Sequence, residues 1–149
     1  MTKSLPPKSL VLYADDDADD RDLVREAFEE FSTVIELVTF EEGGALLDFL
    51  KKLTPLQPKP CLIILDVNMH GLDGKQTLRR LRATEEYNEI PVVLFTTSTL
   101  PSEAAFAQSY SAGFVTKPLH GAQINGIINE LIDHCGNELK DRIKKHRGY

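Results

Sequence analysis

Five short apolar runs recur along the 149-residue chain, and a segment with helical periodicity follows each of them. Runs one, three and four are almost continuously apolar, as in strands that are buried on both faces of a parallel sheet. The second run alternates more, which is typical of an edge strand. The five runs are 9–14, 34–39, 61–65, 92–95 and 113–116. This pattern predicts a β-α unit repeated five times.

The segments between the runs carry apolar residues three and four positions apart, which predicts a helix after each strand. The clearest helical stripe is formed by Ile124, Ile127, Ile128, Leu131, Ile132 and Cys135. Each crossover is long enough for parallel pairing, and right-handed crossovers place helices on both faces of the sheet. We therefore predict an α/β fold with a flavodoxin-like, doubly wound sheet of five parallel strands in the order 2-1-3-4-5.

The length of the chain is that of one domain, which we assign to residues 9–135 after a lead of residues 1–8. The remaining residues, 136–149, form a basic tail that we interpret as solvated and disordered or as a prolongation of the last helix past Gly136. A net charge of −6 argues against a general affinity for nucleic acid. No apolar run approaches the ~18 residues of a membrane span, so we expect a cytoplasmic protein with no membrane partner.

Polar residues follow four of the five predicted strands. Asp15 and Asp16 follow the first strand, Asp66 follows the third, Thr96 ends the fourth and Lys117 follows the fifth. In an open α/β sheet, sites form beyond the carboxyl ends of the strands, where the strand order reverses. We therefore expect three carboxylates, a hydroxyl and an ammonium group to meet at one rim of the sheet.

Such a cluster has a chemical logic. Two unit charges about 4 Å apart repel by roughly 4 kcal/mol near a protein surface, and a hard divalent cation such as Mg²⁺ would remove that repulsion. A carboxylate can act as a nucleophile toward phosphorus and form an aspartyl phosphate. A cation and a lysine would neutralise the charge of the transferred group, and a threonine hydroxyl would donate to it. The cluster predicts a metal-assisted phosphoryl acceptor site.

Four motifs follow the strands in order: the acidic pair, "LDVNMHGLDG", "TTS" and "TKP". With these motifs the sequence resembles the response-regulator receiver domains of two-component signalling, in particular free-standing ones such as the chemotaxis regulator. The resemblance implies an acceptor aspartate, a site for Mg²⁺ (or Mn²⁺), a phosphate-pairing lysine and a switch pair. These are Asp66 as the acceptor; Asp16, Asp15 (mostly through water), Asp66 and the Asn68 backbone carbonyl as metal ligands; Lys117 as the pairing cation; and Thr96 and Phe114 as the switch.

The same resemblance implies the partners. A sensor histidine kinase or a histidine phosphotransfer protein would supply the phosphoryl group, and an unknown output protein would read the result. The face formed by helix 4, strand 5 and helix 5 would bind that partner or a second copy of the chain, without direct contact to nucleic acid. His70 stands where the family usually has proline, which predicts a less rigid loop after Asp66. Asp19 and Asp20 are interpreted as a solvated helix start.

Two other functions on related architecture stay open. An aspartate-nucleophile phosphatase of the haloacid-dehalogenase type needs a second acid two residues after the nucleophile, where this chain has Asn68. A flavin carrier needs a loop rich in Ser, Thr and Gly after the first strand, where this chain has aspartates. We predict a signalling domain that at most catalyses its own phosphorylation and dephosphorylation, rather than an enzyme.

Overall fold

The computed structural model describes residues 8–118 and 124–148. Of the predicted lead, residues 1–7 lie outside the described part. No helix in the described part is both long and apolar enough to cross a membrane. The elements are β1 (Ser9–Ala14), α1 (Ala18–Phe28), a short 3-10 helix (Glu29–Phe31), β2 (Ile35–Phe40), α2 (Gly43–Lys52), β3 (Leu62–Leu65), α3 (Gly74–Ala83), β4 (Val92–Thr96), α4 (Pro101–Ser109), β5 (Gly113–Thr116), α5 (Ile124–Asp133) and α6 (Asn137–His146).

The five strands form one parallel sheet in the order β2-β1-β3-β4-β5. The predicted fold class and strand order are confirmed, and β2 is an edge strand as its alternating sequence indicated. β1 lies between β2 and β3, so the strand order reverses next to it. The carboxyl ends of β1 and β3 are therefore adjacent at the point where open α/β sheets form their sites.

Alternate residues of the strands build two apolar layers, one on each face of the sheet. On one face, Val11, Tyr13, Ile64 and Phe95 pack in a layer that contains side chains of α1, α5 and α6. On the other face, strand residues such as Leu12 pack in a layer that contains side chains of α2, α3 and α4. Burial on both faces explains why the central strands read as continuous apolar runs rather than as alternating ones.

Two helix starts fix the loops at the carboxyl rim of the sheet. Asp17 caps α1, and its side chain accepts from the Asp20 backbone N–H at 3.1 Å. Asp73 caps α3 in a reciprocal arrangement with Gln76, in which each side chain accepts from the other residue's backbone N–H. These caps end the β1–α1 and β3–α3 loops at defined residues.

The interpretation of residues 136–149 as a solvated tail or a helix prolongation was wrong. Gly136 has an extended backbone and lies between the end of α5 and the start of α6, so α6 is a separate helix. Its apolar residues Leu139 and Ile143 are buried in the layer that holds α1 and α5, where Leu139 is only 1% exposed. Because these two side chains are four residues apart, they lie on the same side of the helix and anchor it.

Candidate functional site

The predicted site residues meet at the carboxyl ends of the central strands. Asp15 directly follows β1, Asp66 directly follows β3, Thr96 is the last residue of β4 and Lys117 directly follows β5. Backbone pairing extends past the strand ends, since the Asp66 N–H donates to the Ala14 carbonyl at 3.0 Å and the Lys117 N–H donates to the Thr96 carbonyl at 2.7 Å. The sheet itself therefore sets the spacing of these side chains.

Three of the carboxylates form a compact acidic cluster. Asp15, Asp16 and Asp66 each offer an oxygen, and these oxygens all lie within 4.8 Å of one another. Asp15 and Asp66 are buried, whereas Asp16 is half-buried. Hard oxygen ligands at this spacing fit a divalent cation of the Mg²⁺ type, which binds through one or two carboxylates and keeps several waters.

The environment of Asp66 disfavours its charged form. The residue is only 6% exposed, and burial raises the pKa of its carboxyl to about 7. The charge of Lys117 opposes this rise in the pKa, and the neighbouring Asp15 adds to it. A carboxylate that titrates near neutral pH next to an ammonium group is typical of a functional site.

Asp15 is held in place by donors on both of its oxygens. The Tyr13 hydroxyl donates to Oδ2 at 2.5 Å, and the Asp17 backbone N–H donates to Oδ1 at 2.9 Å. Burial and the Asp15 charge raise the pKa of the Tyr13 phenol, so it stays protonated and remains a donor. Tyr13 was not among the predicted site residues, although a hydroxyl-bearing residue in an otherwise apolar buried strand, two positions before Asp15, is a signal for a buried hydrogen bond.

The Lys117 ammonium lies among three carboxylates. Its Nζ is 2.7 Å from Asp15 Oδ2, 2.8 Å from Asp20 Oδ2 and 3.5 Å from Asp66 Oδ2. Burial works to lower the pKa of this ammonium, but the hydrogen bonds to Asp15 and Asp20 and the surrounding negative charges raise it above its ordinary value overall. The group therefore stays protonated at neutral pH and carries the positive charge of the site.

The interpretation of Asp20 as part of a solvated helix start was wrong. Its carboxylate accepts a hydrogen bond from Lys117, which lies 97 positions further along the chain. Asp19, the preceding residue, is exposed as predicted. The two aspartates look alike in the sequence, and only the contact of Asp20 with Lys117 distinguishes them.

The loop after Asp66 contacts the acidic cluster through His70. The His70 ring Nδ1 lies 3.1 Å from Asp16 Oδ2, and its backbone N–H donates to the same oxygen at 3.3 Å. In the same loop, Gly71 has a φ of +72°, and a side chain at Gly74 would collide with the Asp66 carbonyl. Both glycines are therefore required by the turn into α3.

Asn68 lies in this loop with an exposed side chain. Its backbone carbonyl as a metal ligand stays a prediction.

Thr96 and Phe114 lie on the same face of the sheet. Leu94 of β4 is paired with Phe114 of β5, and Thr96 is two residues beyond Leu94. Because side chains two apart on a strand share a face, the Thr96 side chain and the Phe114 ring both belong to the α2–α3–α4 side. Thr96 is buried, and Phe114 is partly buried against that layer. The Thr96 hydroxyl accepts from the Ser98 N–H at 3.1 Å.

Comparison with known proteins agrees with this fold. Residues 11–129 match the response regulator receiver domain family. The chain is 36% identical over 98 residues to the response regulator Rcp1 of Synechocystis sp., covering 64% of this chain and 66% of Rcp1. It is 35% identical over 141 residues to a protein-glutamate methylesterase/protein-glutamine glutaminase of Trichodesmium erythraeum, covering 93% of this chain but only 37% of that protein.

A solved structure is similar as well. The crystal structure of the Mn²⁺-bound form of response regulator Rcp1 aligns with a TM-score of 0.70 at 27% identity, covering 81% of this chain and 91% of that one. The matched part thus spans about two thirds of the length of curated Rcp1 and little more than a third of the methylesterase.

A doubly wound sheet that gathers aspartates, a threonine and a lysine at its carboxyl rim defines a class of phosphoacceptor signalling domain. This chain belongs to the response regulator receiver domain family. Receiver domains interact with histidine kinases or phosphotransfer proteins. Membership in this family gives no support to the haloacid-dehalogenase phosphatase alternative or to a flavin carrier.

Proposed function

We propose that this chain accepts a phosphoryl group on Asp66 and acts as the receiver domain of a response regulator. The observation that carries the proposal is the position of the buried Asp66 carboxylate, 3.5 Å from the Lys117 ammonium and beside the Asp15 and Asp16 carboxylates. These groups supply a nucleophile, a fixed positive charge and ligands for a divalent cation at one rim of the sheet. Apart from its own phosphorylation and dephosphorylation, the domain has no catalytic activity in this proposal.

In the transfer step, an Asp66 carboxylate oxygen attacks the phosphorus of a phosphohistidine on the donor protein. The new oxygen–phosphorus bond forms as the phosphorus–nitrogen bond breaks, and the leaving imidazole takes up a proton. Lys117 pairs with the phosphoryl oxygens, and the Thr96 hydroxyl donates to one of them. The nucleophile must be ionised, and its pKa of about 7 leaves a substantial ionised fraction at neutral pH.

The metal ligands in this proposal are Asp15, Asp16, Asp66 and the backbone carbonyl of Asn68. When bound, Mg²⁺ or Mn²⁺ would neutralise charge on the transferred group and lower the pKa of Asp66. Asp16 suits a direct ligand because its carboxylate is half-buried and receives hydrogen bonds only from His70 within the described residues. Asp15 suits a ligand through water, since Tyr13 and Lys117 already donate to its Oδ2.

The output of the domain would be a change in its α4–β5–α5 face. Thr96 and Phe114 share a side of the sheet, so movement of Thr96 toward a phosphoryl group would leave space on the side where the Phe114 ring packs. On α4, the partly buried Phe106 ring lies against Tyr110, with a centroid separation of 4.9 Å. A partner protein or a second copy of the chain would bind the α4–β5–α5 face after the Phe114 ring turns inward.

The test is intact-mass measurement after incubation with acetyl phosphate and Mg²⁺. Wild type should gain the mass of one phosphoryl group, and the gain should require the cation. Asp66→Asn should show no gain. Asp48→Asn is the matched control, because it makes the same carboxylate-to-amide change at an exposed position of α2 and should be phosphorylated like wild type.

Loss of the adduct in wild type, or its persistence in Asp66→Asn, would reject Asp66 as the acceptor. Catalytic hydrolysis of a generic phosphate ester, sustained over many turnovers, would favour the phosphatase function instead.

A further inference from the structure

Lys117 divides its hydrogen bonds unequally among the carboxylates around it. Nζ donates to Asp15 at 2.7 Å and to Asp20 at 2.8 Å, whereas Asp66 lies at 3.5 Å, beyond ordinary hydrogen-bond distance. Its two short contacts are therefore made to carboxylates other than the proposed acceptor. To pair closely with a phosphoryl group on Asp66, the ammonium has to lengthen or share one of them.

Of the two anchors, Asp20 is the one that can release the lysine. The Asp15 side chain is fully buried and fixed by Tyr13 and Asp17, so loss of its lysine would leave a buried charge poorly compensated. The Asp20 side chain is 33% exposed, so water can solvate its carboxylate after the lysine moves. Asp20 also lies in the first turn of α1, whose positive end favours a carboxylate with or without the lysine.

We propose that Asp20 is a positioning residue that retains Lys117 in the unphosphorylated protein and so weakens the binding of a phosphoryl-like anion at Asp66. The proposal rests on the function proposed above and goes beyond it, because it assigns to α1 a part in setting how readily the site takes up the anion. Asp20 contacts neither the anion nor the cation in this scheme and acts through Lys117.

Two effects of the Asp20 charge have the same sign. It competes with the incoming anion for the ammonium hydrogens, and it repels the negative charge added at Asp66. Asp15 stays bonded to Lys117 when Asp20 is neutralised, so the ammonium keeps one fixed anchor near Asp66. We therefore expect removal of the Asp20 charge to tighten anion binding about 10-fold, which corresponds to about 1.4 kcal/mol.

The experiment is a titration with fluoroberyllate, an acyl-phosphate mimic, at an Mg²⁺ concentration that saturates each variant. Asp20→Asn should bind fluoroberyllate about 10-fold more tightly than wild type. Asp19→Asn is the matched control, because it removes the same charge from the neighbouring, exposed position of the same helix turn. It should bind within about twofold of wild type, since exposed charges without a direct contact are screened by salt.

Two further measurements separate positioning from a general structural effect. The Lys117 ammonium resonance in amine-selective NMR should shift between wild type and Asp20→Asn in the absence of anion, and it should not shift in Asp19→Asn. Asp20→Glu keeps the charge and should bring the affinity back toward the wild-type value. Asp20→Ser provides a second neutral variant, so an unstable Asp20→Asn protein does not stop the test.

Equal or weaker fluoroberyllate binding in the neutral Asp20 variants would overturn the proposal, as would an equal gain in Asp19→Asn. These outcomes leave the proposed function intact as long as wild type binds the anion and is phosphorylated at Asp66. If wild type neither binds fluoroberyllate nor gains a phosphoryl mass, the proposed function fails and this inference fails with it.

Discussion

The Asp66 carboxyl makes the stability of the metal-free protein depend on pH in a predictable direction. Its pKa is about 7 in the folded protein against 3.8 for an unperturbed aspartate. Between these two values the folded protein holds a proton that the unfolded chain releases. The free energy of unfolding therefore falls as pH rises from about 4 to about 7, and it stays level above that range as far as this group is concerned.

The magnitude follows from the difference between the two pKa values. At about 1.4 kcal/mol for each pH unit, the change from 3.8 to about 7 corresponds to a loss of about 4 kcal/mol at alkaline pH. The asparagine side chain of Asp66→Asn is neutral at every pH. The free energy of unfolding of this variant therefore does not fall by the ~4 kcal/mol that ionisation of Asp66 costs wild type. Relative to wild type, we expect it to be more stable by about 4 kcal/mol near pH 8 and by less than about 1 kcal/mol near pH 4.

The assay is urea unfolding of both proteins with a chelator present, at several pH values across this range. Groups that do not interact with Asp66 titrate alike in both proteins and cancel in the difference. Asp48→Asn, at an exposed position, should follow wild type at each pH. A stability difference between Asp66→Asn and wild type that did not grow with pH would show that burial and Asp15 do not disfavour the charged form of Asp66.

Three other predictions concern the metal, the last helix and the switch. In thermal unfolding, Mg²⁺ at a hundredfold excess over its Kd should stabilise wild type by about 2.7 kcal/mol. Asp16→Asn should raise the metal-free melting temperature and weaken the stabilisation by Mg²⁺. A wild-type melting temperature that does not respond to millimolar Mg²⁺ would contradict this prediction. Leu139→Ala should lower the free energy of unfolding in urea by about 2 to 5 kcal/mol because Leu139 is buried. Lys144→Ala, at an exposed position of the same helix, should lower it by less than about 0.5 kcal/mol. Equal effects of the two substitutions would refute the packing of α6. In amide NMR, fluoroberyllate should shift the signals of residues around Phe114 in wild type but not in Thr96→Ala. If these signals do not shift in wild type, the proposed switch is rejected.

The fold was predictable because its determinants are local and periodic. Apolar runs of four to six residues, separated by amphipathic segments, are sufficient for five β-α units, and the structure moves the strand bounds by one residue at most. The rim residues were predictable for the same reason. Once Asp15, Asp66 and Lys117 are known to follow parallel strands, the sheet brings them together whatever the details of the loops.

The contacts that escaped prediction depend on three-dimensional packing, which the sequence signals only in part. Asp19 and Asp20 lie in the same turn of α1 and differ in the side of the helix on which each side chain lies. Which of these sides faces Lys117 is set by how the helix packs on the sheet. Tyr13 was read only as part of an apolar strand, although its hydroxyl reaches Asp15. The apolar pair Leu139 and Ile143 was recognised in the sequence. The basic residues around this pair favoured a solvated tail, so its burial against the apolar layer was not predicted.

The place of α6 in the chain has a consequence for synthesis. The α1–α5 side of the sheet is completed only when Leu139 and Ile143 pack into it, and both residues come after all five β-α units. A chain released before Leu139 has all five strands but lacks α6, so apolar surface on the α1–α5 side stays open to water. Chains truncated before Leu139 should therefore associate with one another or with chaperones, whereas chains that include α6 cover that surface.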